Sequence, residues 1–191
     1  QRFGNAEASQ AEMIYSDFAE SCMQRALELA ERGLLTTDPN PRVGCVIGSD
    51  GVILGEGAHL RAGEPHAEPL PLAAAGAAAR GATAYVTLEP CNHHGRTPPC
   101  VDALLAAGVT RVVYALRDPN PRVDGSGAAR LVAAGVRTEC GLMEDAALVL
   151  NEGFVKRMRT GRPFVRLKTA ASVDGRVALA NGASQWITGE A

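Results

Sequence analysis

His66-Ala67-Glu68 and Pro90-Cys91-Asn92-His93-His94-Gly95-Arg96-Thr97-Pro98-Pro99-Cys100 bound the stretch on which the rest of the chain is built. One imidazole and two thiols, His66, Cys91 and Cys100, form a soft-to-borderline donor set of the kind zinc prefers. Three protein ligands are one short of a closed tetrahedron, which leaves a position for water. Glu68 follows the histidine closely enough to exchange protons with that water. Between the two halves, Thr83 to Leu88 alternates and is rich in β-formers, so it is read as a strand. Glu89-Pro90-Cys91 leaves the C-terminal end of that strand, where open α/β sheets bind ligands. Thr97-Pro98-Pro99 then starts a helix running to Ala107, with Gly108 as its stop.

Working outward, the N-terminal side predicts a helix from Ser16. Ser16 or Asp17 caps it, and Phe18, Cys22, Ala26, Leu29 and Ala30 line one face up to Gly33. Thr36 to Pro41 is a proline-broken loop. Val43 to Gly48 and Val52 to Gly57 are strands joined by a turn at Ser49-Asp50-Gly51. Leu70 to Arg80 is an alanine-rich helix, and Pro65 suits its first turn. Pro69 and Pro71 fit poorly, since a proline in a helix interior costs roughly 3 kcal/mol.

On the C-terminal side, strand Arg111 to Leu116, loop Asp118 to Gly125, helix Ser126 to Ala134 and strand Val136 to Cys140 follow. Strands alternating with helices predict an α/β/α three-layer sandwich around a mostly parallel five-stranded sheet. Glu144 to Met158 reads as one last helix, Thr160 to Pro163 as a linker and Phe164 to Ala170 as a further strand. The roughly 28 residues after the linker fall below the ~50 a domain needs. They are therefore expected to open a second, truncated domain over 160–191. The zinc domain spans 13–159, and 1–12 is a disordered tail or cloning remnant.

The net charge of −2 offers no basic surface for nucleic acid. No apolar run approaches the ~18 residues of a membrane span. The five cysteines, with no signal peptide ahead of them, point to a reducing cytoplasm and to metal rather than disulfides. Cys22, Cys45 and Cys140 fall in apolar patterns and are expected to be small buried hydrophobes.

His66 and Cys100 are each expected at a helix start, where free N–H groups favour thiolate over thiol. With an open zinc position, Glu68 can take a proton from water and return it to a ring nitrogen and a departing amine. That is hydrolytic removal of ammonia from an amidine-like carbon, and histidine-x-glutamate with proline-cysteine and a further cysteine is the zinc-deaminase signature. Taken singly, Glu68 is a first-turn acid and the cysteines are buried thiols. A closed structural zinc, with His93 or His94 as fourth ligand, is the rival for the set. Spacing alone makes Asn40 a turn residue, His59 a packing histidine, Arg96 a solvated charge and Trp186 a core residue.

Several motifs together resemble the bifunctional riboflavin-biosynthesis deaminase–reductase family. They are Asn40-Pro41-Arg42-Val43-Gly44, Gly63-Glu64-Pro65-His66-Ala67-Glu68, Thr87-Leu88-Glu89-Pro90-Cys91 with the His-Gly-Thr-Pro-Pro-Cys insert, and Asp118-Pro119-Asn120-Pro121. Eight residues separate Cys91 from Cys100, where ordinary cytidine-type deaminases place two. The resemblance implies a cytidine-deaminase-like fold, zinc on His66, Cys91 and Cys100, and Glu68 as proton shuttle. It implies substrate contacts from Asn40, His59 and Arg96. The implied substrate is 2,5-diamino-6-ribosylamino-4(3H)-pyrimidinone 5′-phosphate, which loses its 2-amino group. Lys168 to Arg176 and Ser184 to Thr188 resemble the start of the family's reductase half. There Ala170 and Trp186 would contact NADPH, and Ser184 the sugar of the substrate. Two rivals stand beside this reading: a zinc deaminase of another nucleobase, nucleoside or tRNA, and a zinc-stabilised fragment without activity. An unfinished strand at the chain end would invite association, so a homo-oligomer is expected.

Overall fold

The computed structural model describes residues 15–95, 97–121 and 123–184. The tail expected over 1–12 lies outside them.

Helix α1 (Asp17–Glu31) forms where expected, and the Ser16 hydroxyl accepts the Ala19 N–H at 3.2 Å. That cap satisfies one of the donors a first helical turn leaves without a partner. α1 packs against β1 (Gly44–Ser49), and a Cβ on Gly44 would lie 1.9 Å from the Ala26 carbonyl oxygen. Only glycine allows that approach. Asp50 and Gly51 both have positive φ and turn the chain into β2 (Val52–Ala58), antiparallel to β1.

Helix α2 spans Pro69–Ala75 and ends in a 3-10 turn, Gly76–Ala79. This corrects the expected helix from Leu70 to Arg80. α2 starts on Pro69, so both prolines sit within its first three residues, where N–H groups have no intrahelical acceptor to lose. His66 consequently precedes the helix. β3 (Thr83–Leu88), α3 (Cys100–Ala107) and β4 (Arg111–Leu116) follow, and Gly108 closes α3 in the left-handed conformation at φ 74°. After α4 (Ser126–Ala133) and β5 (Arg137–Cys140), the single expected helix from Glu144 to Met158 is two: α5 (Glu144–Leu150) and α6 (Glu152–Thr160). Asn151 breaks it. Its buried amide accepts the Arg42 N–H at 2.8 Å and donates to the Arg42 carbonyl at 2.9 Å, holding the 39–43 loop as a strand neighbour would.

The sheet order is β2-β1-β3-β4-β5. β3, β4 and β5 pair in parallel, while β1 pairs antiparallel with β2 and β3. The expectation of a mostly parallel sheet thus holds for strand direction, with β1 alone reversed, but the pairings are mixed. A two-residue turn can join β1 and β2 only as an antiparallel hairpin. Side chains alternate between two cores. Val46, Tyr85 and Val113 face α1, α5 and α6; Ile47, Val86 and Val112 face α2, α3 and α4. Three layers result.

Residues 161–184 contain turns but no strand, so the expected strand Phe164 to Ala170 is not formed. Val165 and Leu167 stand in solvent. A strand needs a ladder partner for its N–H and C=O groups, and among the described residues none pairs with it. Among the described residues no helix is long and apolar enough to cross a membrane.

Candidate metal centre and active site

β3 delivers Glu89-Pro90-Cys91 to the C-terminal edge of the sheet, and α3 begins on Cys100. The α3 N-terminus points the Cys100 N–H at Cys91 Sγ, 3.4 Å away. His66 Nδ1 lies 3.2 Å from Cys100 Sγ and 3.5 Å from Cys91 Sγ. Bonds of about 2.1 Å to nitrogen and 2.3 Å to sulfur at tetrahedral angles separate ligand atoms by roughly 3.6–3.8 Å. The three side chains therefore need only a small outward shift to grip one ion. Among the described residues they form the group whose ligand atoms lie close enough together to hold a metal, and neither His93 nor His94 belongs to it.

The electrostatics agree with a cation at this point. Cys91 is drawn down to about 4, first by the hydrogen bond from Cys100 and then by His66. Cys100 is pushed far up, because it supplies that hydrogen bond and is buried beside a charge. The geometry thus favours Cys91 as the thiolate and Cys100 as the thiol that donates to it, and a bound cation would favour both as thiolates. His66 is raised by its hydrogen bond to Cys91.

Glu68, the residue before α2, is 3% exposed. Burial raises its pKa, with the Cys91 charge adding to the shift. Its Oε2 is buried without a hydrogen-bond partner. A carboxylate oxygen in that state is unusual in a folded protein and marks a place where a further group is received.

His66, Glu68 and Cys91 open on a cavity of about 240 Å³, also lined by Asn40, His59, Glu89, Asp118, Asn120 and Arg157. His59 is 3% exposed. Its Nδ1 lies 2.9 Å from the Pro65 carbonyl, which can only accept, so Nδ1 carries the proton. Nε2 then accepts from Asn40 Nδ2 at 3.1 Å. Both ring nitrogens thus have protein partners, and His59 stands in the cavity wall holding the Asn40 amide.

Three features were not given roles from sequence. Glu89 accepts from Gly125, Gly127 and Ala128 N–H at 3.0, 3.1 and 3.2 Å, and from Asp118 N–H at 3.4 Å. It ties the 118–128 loop to the Cys91 segment, and a Cβ on Gly127 would lie 2.0 Å from the Pro90 carbonyl oxygen. Asp118, raised to about 6 by burial, accepts from the Asn120 N–H. Asp-Pro-Asn-Pro between prolines, just past a strand, was the available signal. Arg157 and its neighbours on α6 carried none. Ser184 and Ala170 are exposed and away from the cavity, Ser184 Oγ donating to the Val177 carbonyl. Arg96 and Trp186 lie outside the described residues.

Residues 16–116 match the cytidine and deoxycytidylate deaminase zinc-binding region, and residues 163–191 match the RibD C-terminal domain. The chain is 64% identical over 169 residues to riboflavin biosynthesis protein RibD of Escherichia coli (strain K12), covering 88% of this chain and 46% of that protein. Among solved structures it resembles Acinetobacter baumannii RibD, with TM-score 0.84 and 57% identity over 90% of this chain and 48% of the other. It also resembles a diaminohydroxyphosphoribosylaminopyrimidine deaminase/5-amino-6-(5-phosphoribosylamino)uracil reductase from Thermotoga maritima, with TM-score 0.85 and 43% identity over 90% and 50%. The chain spans about half the length of the relatives it matches. A His66, Cys91 and Cys100 group that could hold a metal, a buried acid beside it with one unpartnered oxygen and both family matches lead to one assignment: the chain belongs to the cytidine and deoxycytidylate deaminase zinc-binding family, as a RibD-type deaminase domain with the start of a RibD C-terminal domain.

Proposed function

We propose that this domain hydrolytically deaminates 2,5-diamino-6-ribosylamino-4(3H)-pyrimidinone 5′-phosphate to 5-amino-6-(5-phosphoribosylamino)uracil, a step of riboflavin biosynthesis. The single observation that carries the chemistry is Glu68, buried with an unpartnered oxygen beside His66, Cys91 and Cys100. Those three would hold zinc, which when bound supplies the Lewis acidity that makes water a nucleophile near neutral pH. Glu68 takes the water proton as oxygen bonds to C2 of the ring. It passes that proton to the adjacent ring nitrogen, then carries the second water proton to the amine as the C–N bond breaks and ammonia leaves. A carboxyl whose pKa is raised by burial suits both directions of transfer. Asn40, held by His59, reads the heterocycle, and Arg96 pairs with the substrate phosphate.

In a full-length parent, the segment from residue 163 would continue into a domain that reduces the ribose with NADPH. Ala170 and Trp186 would touch the cofactor there and Ser184 the sugar. The same reading puts the protein in the cytoplasm, consistent with five free cysteines. It also makes the protein a homo-oligomer, consistent with exposed Leu35, Val149 and Leu167; sedimentation as a monomer would rule that out.

The test is ammonia release from the phosphoribosylated diaminopyrimidine beside cytidine, guanine and adenosine. Preference for the first supports the substrate. Preference for cytidine leaves the mechanism and removes the substrate. No release from any of them, with zinc bound, makes the chain a zinc-stabilised fragment.

A further inference from the structure

Helix α6 reaches the cavity from well beyond the zinc-binding region, which ends at residue 116. Phe154, Arg157 and Met158 form its wall there. Among the described residues Arg157 is tethered through Nη2, which gives a 2.6 Å hydrogen bond to the Pro39 carbonyl, next to Asn40. Its Nε is buried and has no partner among the described residues. A buried guanidinium N–H without an acceptor is costly to leave unmade, which points to an acceptor that arrives with the ligand.

We propose that Arg157 is a specificity-determining residue of the deaminase, its Nε–H donating to a carbonyl oxygen on the heterocycle of the substrate. The inference rests on the pyrimidinone reading above and names the part of the substrate that α6 recognises. A ring must enter the 240 Å³ cavity to reach Glu68, and apolar Phe154 and Met158 beside Arg157 suit a flat ring better than a doubly charged phosphate. A second opening of about 320 Å³ shares Pro39, Asn40, His66 and His93 with the first and is also lined by Ala62, Gly63, Glu64, Gly95 and Thr97, with Arg61 paired to Glu64 at 3.6 Å. It offers the phosphoribosyl group a seat separate from the wall that carries Arg157. Arg157 acts on binding and takes no part in proton transfer.

The test compares wild type, Arg157→Met and Arg157→Lys, all zinc-loaded. Each is assayed on the substrate, on its 4-deoxo analogue lacking the ring carbonyl oxygen, and on the dephosphorylated substrate. Loss of a charged donor to a carbonyl should raise KM roughly ten- to hundredfold, with kcat within about threefold of wild type. Wild type should prefer the carbonyl-bearing ring over the deoxo analogue by a similar factor, and both variants should lose that preference. The penalty should persist on the dephosphorylated substrate. A variant that keeps the preference overturns the proposal, and so does a penalty that vanishes with the phosphate, since Arg157 would then read the anion. A purely structural tether would lower the melting temperature and leave the ring preference intact; Arg157→Lys carries the comparison if Arg157→Met does not fold. Should wild type turn over only a cytidine nucleotide, the substrate reading fails. The same series then runs on that pyrimidine, whose ring also bears a carbonyl.

Discussion

Glu68 and Glu89 line the same cavity, and each is 3% exposed. Around Glu89 the chain supplies four backbone N–H groups, and the carboxylate is spent on structure. Around Glu68 one oxygen has no partner, and burial together with the Cys91 charge raises its pKa. Burial alone does not mark a catalytic acid; burial with an unmet hydrogen-bonding demand does. One carboxylate is satisfied, and the proposed proton shuttle falls to the other.

Exchanging either acid for its amide or for alanine tests that contrast. Glu68→Gln should lower kcat by about 10² to 10⁴, the range for losing a general acid–base group. Zinc content and melting temperature should not fall; elemental analysis and calorimetry check both. Glu89→Ala leaves four N–H groups facing a void, and stability should drop by about 3 kcal/mol or more in urea unfolding. Were Glu68→Gln the more destabilising of the two, the division of roles would be reversed.

Asp118 stands between these extremes, with one backbone donor and a pKa raised from 3.8 to about 6 by burial. The folded protein therefore holds this proton more tightly than the unfolded chain. Its burial penalty is absent below pH 3.8, grows as pH rises and is complete above about pH 6. A shift of that size corresponds to roughly 1–3 kcal/mol after allowing for solvent screening. Asp118→Asn should accordingly stabilise the protein at pH 8, with the gain fading as pH falls through 6 towards 4; thermal melts at three pH values read it. A gain that grows towards low pH contradicts the assignment.

The smallest effect concerns His59, which hydrogen-bonds the Asn40 amide. His59→Ala should raise KM about five- to thirtyfold, and the double variant with Asn40→Ala should cost no more than Asn40→Ala alone. Additive losses would mean that His59 meets the substrate directly.

Much of this site is legible in the chain because its key residues lie close together in sequence. His66 to Glu68 and Cys91 to Cys100 are short segments flanked by prolines, and β3 and β4 form over the expected residues, Thr83–Leu88 and Arg111–Leu116. What escaped is long-range. Asn151 breaks a good helical pattern because its amide meets Arg42, more than a hundred residues away in sequence. Arg157 joins the wall through Pro39, and Glu89 is spent on a loop some thirty residues on. Spacing makes His59 a packing histidine, and its bonds to Asn40 and to the Pro65 carbonyl come from segments that local pattern does not join. The prolines of α2 conflict only with a helix placed further along the chain, since one that begins on Pro69 loses nothing to them. Residues 164–170 carry a strand pattern, and an isolated pattern cannot supply its own partner.

The central claim is a zinc ion held by one imidazole and two thiolates, with a vacancy beside Glu68. X-ray absorption at the zinc edge of the metal-loaded protein tests it most directly. The account predicts two sulfur neighbours near 2.3 Å, one imidazole and one light, non-protein atom. A third sulfur or a second imidazole in that shell would close the site and contradict it.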